Sequence, residues 1–287
     1  MKRLLRFACL AVLVFCCVSA YAWSDAGHGA IAKIAYRHLT PEAKAMFDEL
    51  LMIGVEERYQ TPVMAAVWAD EYRSDTANTG PWHYINIHFR TDGKPVTMKA
   101  LNENVVWATS KFRKQLADKR LSGVQRAEAF RWVLHLVADA HQPLHNVARD
   151  TDRSPEGDRG GNEFAIKPGK VLPDWNTNLH RVWDSGVGAF EIPMRAGEPG
   201  ADEAIEELAD KIEAAHPMSK VIAEVKDLDP NNWIKEGYNI ATRFAYTAPE
   251  GGTPSVSYVK IGQEICMKRA ALAGYRLAAI LNEALKG

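Results

Sequence analysis

The sequence predicts an all-α protein, a single mostly helical domain behind a cleavable leader. Three observations carry that expectation. Apolar residues recur at helical spacing along most of the chain. Extended candidates are confined to two short stretches, 84–87 and 164–166. No Ser/Gly-rich linker or internal repeat divides the chain. With 287 residues, 47% hydrophobic and 25% charged, it is long enough to bury a sizeable core and too apolar to be disordered. Fibrous and collagen-like classes are excluded by the same composition.

The leader comes first. Lys2, Arg3 and Arg6 precede an apolar run over 7–18, and Ala20-Tyr21-Ala22 is a small–x–small cleavage pattern. This is the signature of a secretory signal peptide over 1–22, too short to span a membrane comfortably. Bulky Phe15 argues against a lipoprotein signal at Cys16 or Cys17. The expected mature domain, 23–287, is exported to the periplasm or the medium, has no stable membrane anchor and acts as a monomer. Its charge is −4, because Lys2, Arg3 and Arg6 leave and 32 basic residues then face 36 acidic ones. Such a chain does not grip duplex phosphates by bulk charge; any phosphate chemistry needs a local positive source. Cys9, Cys16 and Cys17 leave with the leader, so Cys266 has no intrachain partner and reads as a buried small hydrophobe.

The helices follow in order. A helix over 27–39 carries Ile31, Ile34 and Ala35, and Thr40 then reads as an N-cap with Pro41 opening a second helix to about residue 51. Residues 61–72 put Val63, Val67 and Trp68 on one side, and 99–116 continues the pattern. The helix over 126–140 turns Phe130, Val133, Leu134 and Val137 toward a core. Further helices are expected over 177–190, 201–215, 231–245 and 260–285. The glycine-rich stretch 157–161 reads as a loop between motif-bearing segments.

The histidines are patterned. His135 and Asp139 are four apart, hence on one helix face, and His145 follows six residues on. His180 and Asp184 repeat the spacing of four. Each such pair offers an imidazole nitrogen and a carboxylate oxygen to one point, as a zinc ion requires. A lone pair is ordinarily a helix-face hydrogen bond; two pairs with an intervening histidine reverse that reading. Asp70 and Arg73 lie in Trp68-Ala69-Asp70-Glu71-Tyr72-Arg73, and His83 opens the extended run Trp82-His83-Tyr84-Ile85-Asn86. The new amino terminus would be Trp23, five residues before His28, where a free amine and its carbonyl can chelate a metal.

Together these motifs resemble the S-one/P-one (mung-bean-nuclease-like) single-strand-specific zinc nucleases, a family related to zinc phospholipases C. The resemblance spans nearly the whole mature chain, through Trp-Ala-Asp-x-x-Arg, Trp-His-Tyr-Ile, His-x3-Asp-x2-Gln-Pro-Leu-His, Gly-Gly-Asn and Asn-Leu-His-x2-Trp-Asp. It implies a helical fold with three zinc ions at the bottom of a cleft. By that resemblance Asp70, His83, His135 and Asp139 take one zinc. The Trp23 amine and carbonyl, His28 and a shared Asp139 take a second, and His145, His180 and Asp184 a third. Three divalent ions against three aspartates make the cleft about +3, a phosphate trap in an acidic protein. The implied activity is hydrolysis of single-stranded DNA and RNA to 5′-phosphate products, by zinc-activated water and cleavage of the P–O3′ bond, with 3′-nucleotidase activity.

Arg73 matches the family arginine that meets transition-state charge, against a plain ion pair with Glu71 or Asp75. Tyr84 matches the aromatic on which a base stacks, against a core aromatic. Asn86 departs from the aspartate of fungal relatives, and the lack of disulfides and of any Asn-x-Ser/Thr sequon suits a bacterial member. Asp158, Gly160, Gly161 and Asn162 either shape the cleft rim or form a plain turn. His141 is expected to orient a neighbour or face solvent; His38, His88 and His216 read as surface or capping residues; Trp132 and Trp183 as core. Two rivals remain: a phospholipase C of the same superfamily, disfavoured by Asp184 where that branch uses glutamate, and a non-catalytic zinc-binding protein.

Overall fold

The computed structural model describes residues 23–75 and 79–286; the expected signal peptide lies outside them, as do the side chains of residues 73–75. The chain runs α1 (Asp25–Arg37), α2 (Pro41–Met52), α3 (Pro62–Asp75), β1 (Ile87–Phe89), α4 (Val105–Ala117), α5 (Gly123–Asp139) and β2 (Val147–Arg149). It continues through α6 (Leu179–Asp184), α7 (Ala201–Ala215), α8 (Met218–Val225), α9 (Pro230–Arg243) and α10 (Val256–Ala284). The all-α expectation is borne out: among the described residues the sheet is a single parallel pair, β1 and β2, with Ile87 opposite Val147.

Helix α5 is the axis of the fold. Ser122 and Gln125 close a capping box at its start, and every residue from Ala129 to Asp139 is buried. A helix buried on all sides is wrapped on all sides by its neighbours. Phe130 meets Phe47 of α2 edge-on at 4.7 Å, and Trp132 stacks on Phe112 of α4 at 5.2 Å and meets Trp68 of α3. Burial of side chains such as Phe130 and Leu134 contributes roughly 1.5–3 kcal/mol each. The wholly buried Arg131 donates to the carbonyls of Leu51 and Ile53, satisfying the open end of α2.

Several boundaries differ from the expected ones, each for a local reason. Helix α4 starts at Val105 rather than 99, because the Asn104 side chain accepts from Val106 and Trp107 N–H and caps it there. The helix expected over 177–190 shrinks to α6: Asn178 caps its start, and Gly186, Val187 and Gly188 turn left-handed at φ 63°, 56° and 85°. Ser255 caps α10 early, at Val256. Helix α8 was not anticipated; its eight residues bury only Val221 and Val225. The extended stretch at 84–87 shifts to Ile87–Phe89, its partner 147–149 was missed, and 164–166 forms a lone bridge from Ala165 to Asn178. Cys266, Trp132 and Trp183 are buried as expected, and the Thr40 cap with Pro41 is present.

Helices α1 and α10 touch where Gly274 meets Ile34. A β-carbon on Gly274 would sit 2.5 Å from Ile34 Cγ2 and 3.3 Å from the Ile31 carbonyl. Alanine would otherwise gain about 1 kcal/mol of helix propensity, but overpacking costs about 1–3 kcal/mol, and Ile34 is buried and β-branched. Gly274→Ala is expected to lower the unfolding free energy by a net of up to about 2 kcal/mol, read as a lower denaturant midpoint at unchanged slope. A raised midpoint would show that the two helices part freely.

Candidate metal centre

Six segments converge at the buried end of α5. His135 and Asp139 lie one turn apart there, with His135 Nε2 3.0 Å from Asp139 Oδ2. His135 Nδ1 bonds to the Ala66 carbonyl of α3 at 2.7 Å, which fixes the ring and aims Nε2 at the cluster. His83, last residue of a 3-10 turn over Gly80–His83, brings Nδ1 to 3.0 Å from both His135 Nε2 and Asp139 Oδ2. Asp70 Oδ1 of α3 is 3.7 Å from His83 and 3.8 Å from His135. From α1, His28 stacks on His135 with centroids 4.1 Å apart, its Nε2 3.5 Å from Asp139 Oδ1.

A second group lies alongside. His145 Nδ1 bonds to the His83 carbonyl at 2.9 Å, and His180 Nδ1 bonds to the Gly160 carbonyl at 2.7 Å. Their Nε2 atoms face Asp184, at 3.9 and 3.6 Å. Gln142 Nε2 donates to Asp184 Oδ1 at 2.6 Å, and its Oε1 accepts from Leu144 N–H, so one side chain ties the turn over Pro143–Asn146 to α6.

The donor set fits metal ions. Three groups bring ligand atoms within 4.8 Å of one another: His28, Asp70 and His135; His83, His135 and Asp139; His145, His180 and Asp184. Both ring nitrogens of His28, His83 Nε2 and Asp139 Oδ1 are buried without a hydrogen-bond partner. Leaving each such atom unmade costs about 1–3 kcal/mol, and a cation would satisfy several at once. Burial lowers the pKa of His28 and His83, and lowers His145 to about 4 and His180 to about 3, so these rings keep lone pairs at neutral pH. Burial opposes charge at Asp139 too, but His135 and His145 outweigh it and hold the carboxyl well below its usual range. At His135 burial is likewise overcome, by Asp139 and Asp70, and the ring is pushed up to about 9. Burial drives Asp184 well above the carboxylate range, with the Gln142 bond opposing. Nitrogen and carboxylate ligands in sets of three or four are those zinc prefers.

Above this floor opens a cleft. Its lining includes His83, Tyr84, Asn86, His145, Arg159, Asn162 and His180. Tyr84 is half-buried on that wall rather than in the core, and Asn86 lies on the same wall. Trp23 is buried; its indole donates to the Ala138 carbonyl at 2.9 Å, and Ser24 N–H donates to the Asp184 carbonyl at 2.8 Å. The backbone at residue 23 is thus pinned between the segments carrying Asp139 and Asp184. The Arg73 side chain lies outside the described residues.

The stretch from Asp158 to Asn162 is part of the rim rather than a plain turn. Buried Asp158 accepts from Arg149 N–H, Gly161 N–H and the Tyr246 hydroxyl. Gly160 is at φ 63°, and a β-carbon there would meet the Leu144 carbonyl at 2.3 Å. Arg159 was missed by sequence reasoning: the stretch Asp158-Arg159-Gly160-Gly161-Asn162 drew attention to its other four residues. His141 does not face solvent. It is fully buried, bonded through Nδ1 to the Val137 carbonyl and through Nε2 to Arg276. His88 corrects a surface reading, since its side chain is 4% exposed and bonds to Asp150 at 2.6 Å. His38 and His216 sit at the C-caps of α1 and α7 as expected.

Comparison with known proteins agrees with this geometry. The S1/P1 nuclease family profile matches residues 23–286. Nuclease P1 of Penicillium citrinum is 26% identical over 285 residues, covering 91% of this chain and 97% of the relative. Endonuclease 2 of Arabidopsis thaliana is 27% identical over 292 residues, 94% of this chain and 93% of the relative. Nuclease S1 of Aspergillus oryzae is 23% identical over 285 residues, 91% of each.

Proposed function

The chain belongs to the S1/P1 nuclease family, and on that premise we propose that it is an exported zinc-dependent phosphodiesterase. Its substrates are single-stranded DNA and RNA, cut to 5′-phosphate products, and 3′-nucleotides, which lose their phosphate. The carrying observation is the convergence of three His/Asp groups beneath a cleft with an aromatic wall. The relatives named nuclease P1, endonuclease 2 and nuclease S1 support the reaction class. The mature enzyme, residues 23–287, is a monomer without a membrane anchor, and its single buried Cys266 suits a bacterial member. Among the described residues no helix is long and apolar enough to cross a membrane.

Asp70, His83, His135 and Asp139 would hold one zinc. The Trp23 amine and carbonyl, His28 and Asp139 would hold a second, and His145, His180 and Asp184 a third. Zinc bound there supplies Lewis acidity to phosphoryl oxygens and lowers the pKa of water at the reacting phosphorus. The remaining work belongs to the chain. Carbonyls of Ala66, His83 and Gly160 hold His135, His145 and His180 in the tautomer that leaves Nε2 free. Tyr84 stacks on a base, a contact worth about 1–3 kcal/mol and open only to an unstacked base, which is the origin of single-strand preference. Asn86 offers a base edge both a donor and an acceptor. Arg73 meets the charge that develops on phosphorus in the transition state.

The direct test is zinc analysis of the mature protein beside assays on single-stranded DNA, a 3′-nucleotide and phosphatidylcholine. Zinc with nucleic-acid hydrolysis is expected. Hydrolysis of the lipid alone would make the protein a phospholipase, and zinc without any hydrolysis a binding protein.

Asp139→Ala should lose more than one equivalent of zinc and well over the ~100-fold in activity that outer-shell partners alone can cost. A variant keeping three zincs and normal turnover would sink the bridging assignment.

Arg73→Ala should lower kcat by about 100- to 1,000-fold at unchanged zinc content. Tyr84→Ala should instead raise KM by about 5- to 150-fold. An intact kcat in the first variant would return Arg73 to an ordinary ion pair.

A peptide nitrogen is planar and non-basic, so Trp23 can offer an amine only after the leader is cut. Protein with one extra methionine before Trp23 should therefore bind about one zinc fewer and turn over slowly. Equal zinc counts and rates, with the extra residue confirmed by N-terminal sequencing, would remove the amine from the ligand set.

A further inference from the structure

We propose that Arg159 is a substrate-binding residue whose guanidinium takes the phosphate group of the bound nucleotide, on the side of the cleft formed by His145 and His180. The inference rests on the phosphoester reading above and adds to it a residue outside every ligand motif. Arg159 lines the same cleft as Tyr84, Asn86, Asn162 and the two histidines. Its backbone is left-handed, at φ 56°, a conformation that disfavours any residue with a β-carbon. Glycines follow it at φ 63° and 83°, so an arginine here is not chosen for backbone comfort.

The conformation is enforced from both sides. Ahead of it, the Asp158 carboxylate is locked by Arg149 N–H, Gly161 N–H and the Tyr246 hydroxyl. Behind it, the Gly160 carbonyl is tied to His180, and Asn162 Nδ2 donates to the Arg159 carbonyl at 2.8 Å. The loop cannot relax without moving His180, and strain held this way marks functional positions.

Charge indicates what the residue binds. Nearby Arg149 is committed to Asp158 and Glu250. Among the described residues no carboxylate lies within ion-pair distance of the Arg159 guanidinium. Arg159 lines the cleft together with His145 and His180 of the third group, so its positive charge lies at that cluster. A cation beside a group built to hold another cation is out of place until an anion joins both. A phosphate oxygen pair matches the guanidinium fork.

The test compares zinc-loaded wild type with Arg159→Gln and Arg159→Lys. The esters are a nucleoside 3′-phosphate and an abasic deoxyribose 3′-phosphate, and inorganic phosphate binding is read by calorimetry. Arg159→Gln should raise both KM values, and weaken phosphate binding, by about 10- to 100-fold, with zinc content and Tm unchanged. Arg159→Lys should recover part of each. Unchanged constants would make Arg159 a solvated rim residue. A loss confined to the ester that carries a base would mean that it stacks on the base, and a loss of zinc that it only supports the loop; each overturns the proposal. A wild type inert toward both esters would fail the phosphoester reading instead, and calorimetry would still read the role of Arg159.

Discussion

The carboxylate of Asp139, wholly buried at the last residue of α5, is the group to which the rest of the site is fitted. Its position is electrostatically poor on its own terms, because an acid at a helix C-terminus meets the negative end of the dipole. Compensation comes from in front and from behind. In front, His28, His83, His135 and His145 each bring a ring nitrogen within 3.5 Å of a carboxylate oxygen. Behind, Arg269 donates to the His141 carbonyl, two residues past Asp139, and pairs with Glu236, which Arg276 also holds. Breaking one member of such a buried ionic set typically costs about 3–5 kcal/mol. Cations held by the cluster would complete the balance from the cleft side.

The tautomers of His135, His145 and His180 are written by backbone rather than by side chains. Ala66 O comes from α3, His83 O from a 3-10 turn and Gly160 O from a loop, and each accepts from one Nδ1. The consequence is that secondary structure far apart in sequence decides which nitrogen faces the cluster. His83 serves twice, giving its ring to one group and its carbonyl to His145 of the other. A shift of that single turn therefore changes both groups together.

Much of this was legible beforehand, for identifiable reasons. A spacing of four on a helix is a geometric statement, so His135 with Asp139 and His180 with Asp184 could be read as pairs before any fold was known. The convergence of His28, Asp70 and His83 on the first pair came only from family resemblance, since nothing local relates residues so far apart. Where the reading fell short, the deciding contact was non-local or strained. Val187 is forced left-handed at φ 56° between two glycines, so α6 ends before its apolar pattern does. His88 looks like a polar residue on an edge until Asp150 is brought beside it by the β1–β2 pairing. Arg159 carries no spacing at all; its significance lies in a dihedral angle and in what its neighbours hold.

The two halves of the chain divide the labour. Every residue of the three groups comes from His28 to Asp184, and α7 through α10 contribute none. The later helices are nevertheless required by the earlier ones. Helix α10 runs along α1, which carries His28, and just beyond Asp139 its Arg269 reaches the His141 carbonyl and its Arg276 the His141 ring. Helix α9 supplies Glu236 to neutralise those arginines, and its Gly237 leaves room for Asn146, next to His145. Cys266 is buried and is the one cysteine among the described residues, so no sulfur bridge ties these segments together. The ligands span loops of more than a hundred residues, and metal binding that closes such loops is itself folding free energy. A front half whose polar interior ions would complete, and a back half that holds the frame, is the arrangement these constraints produce.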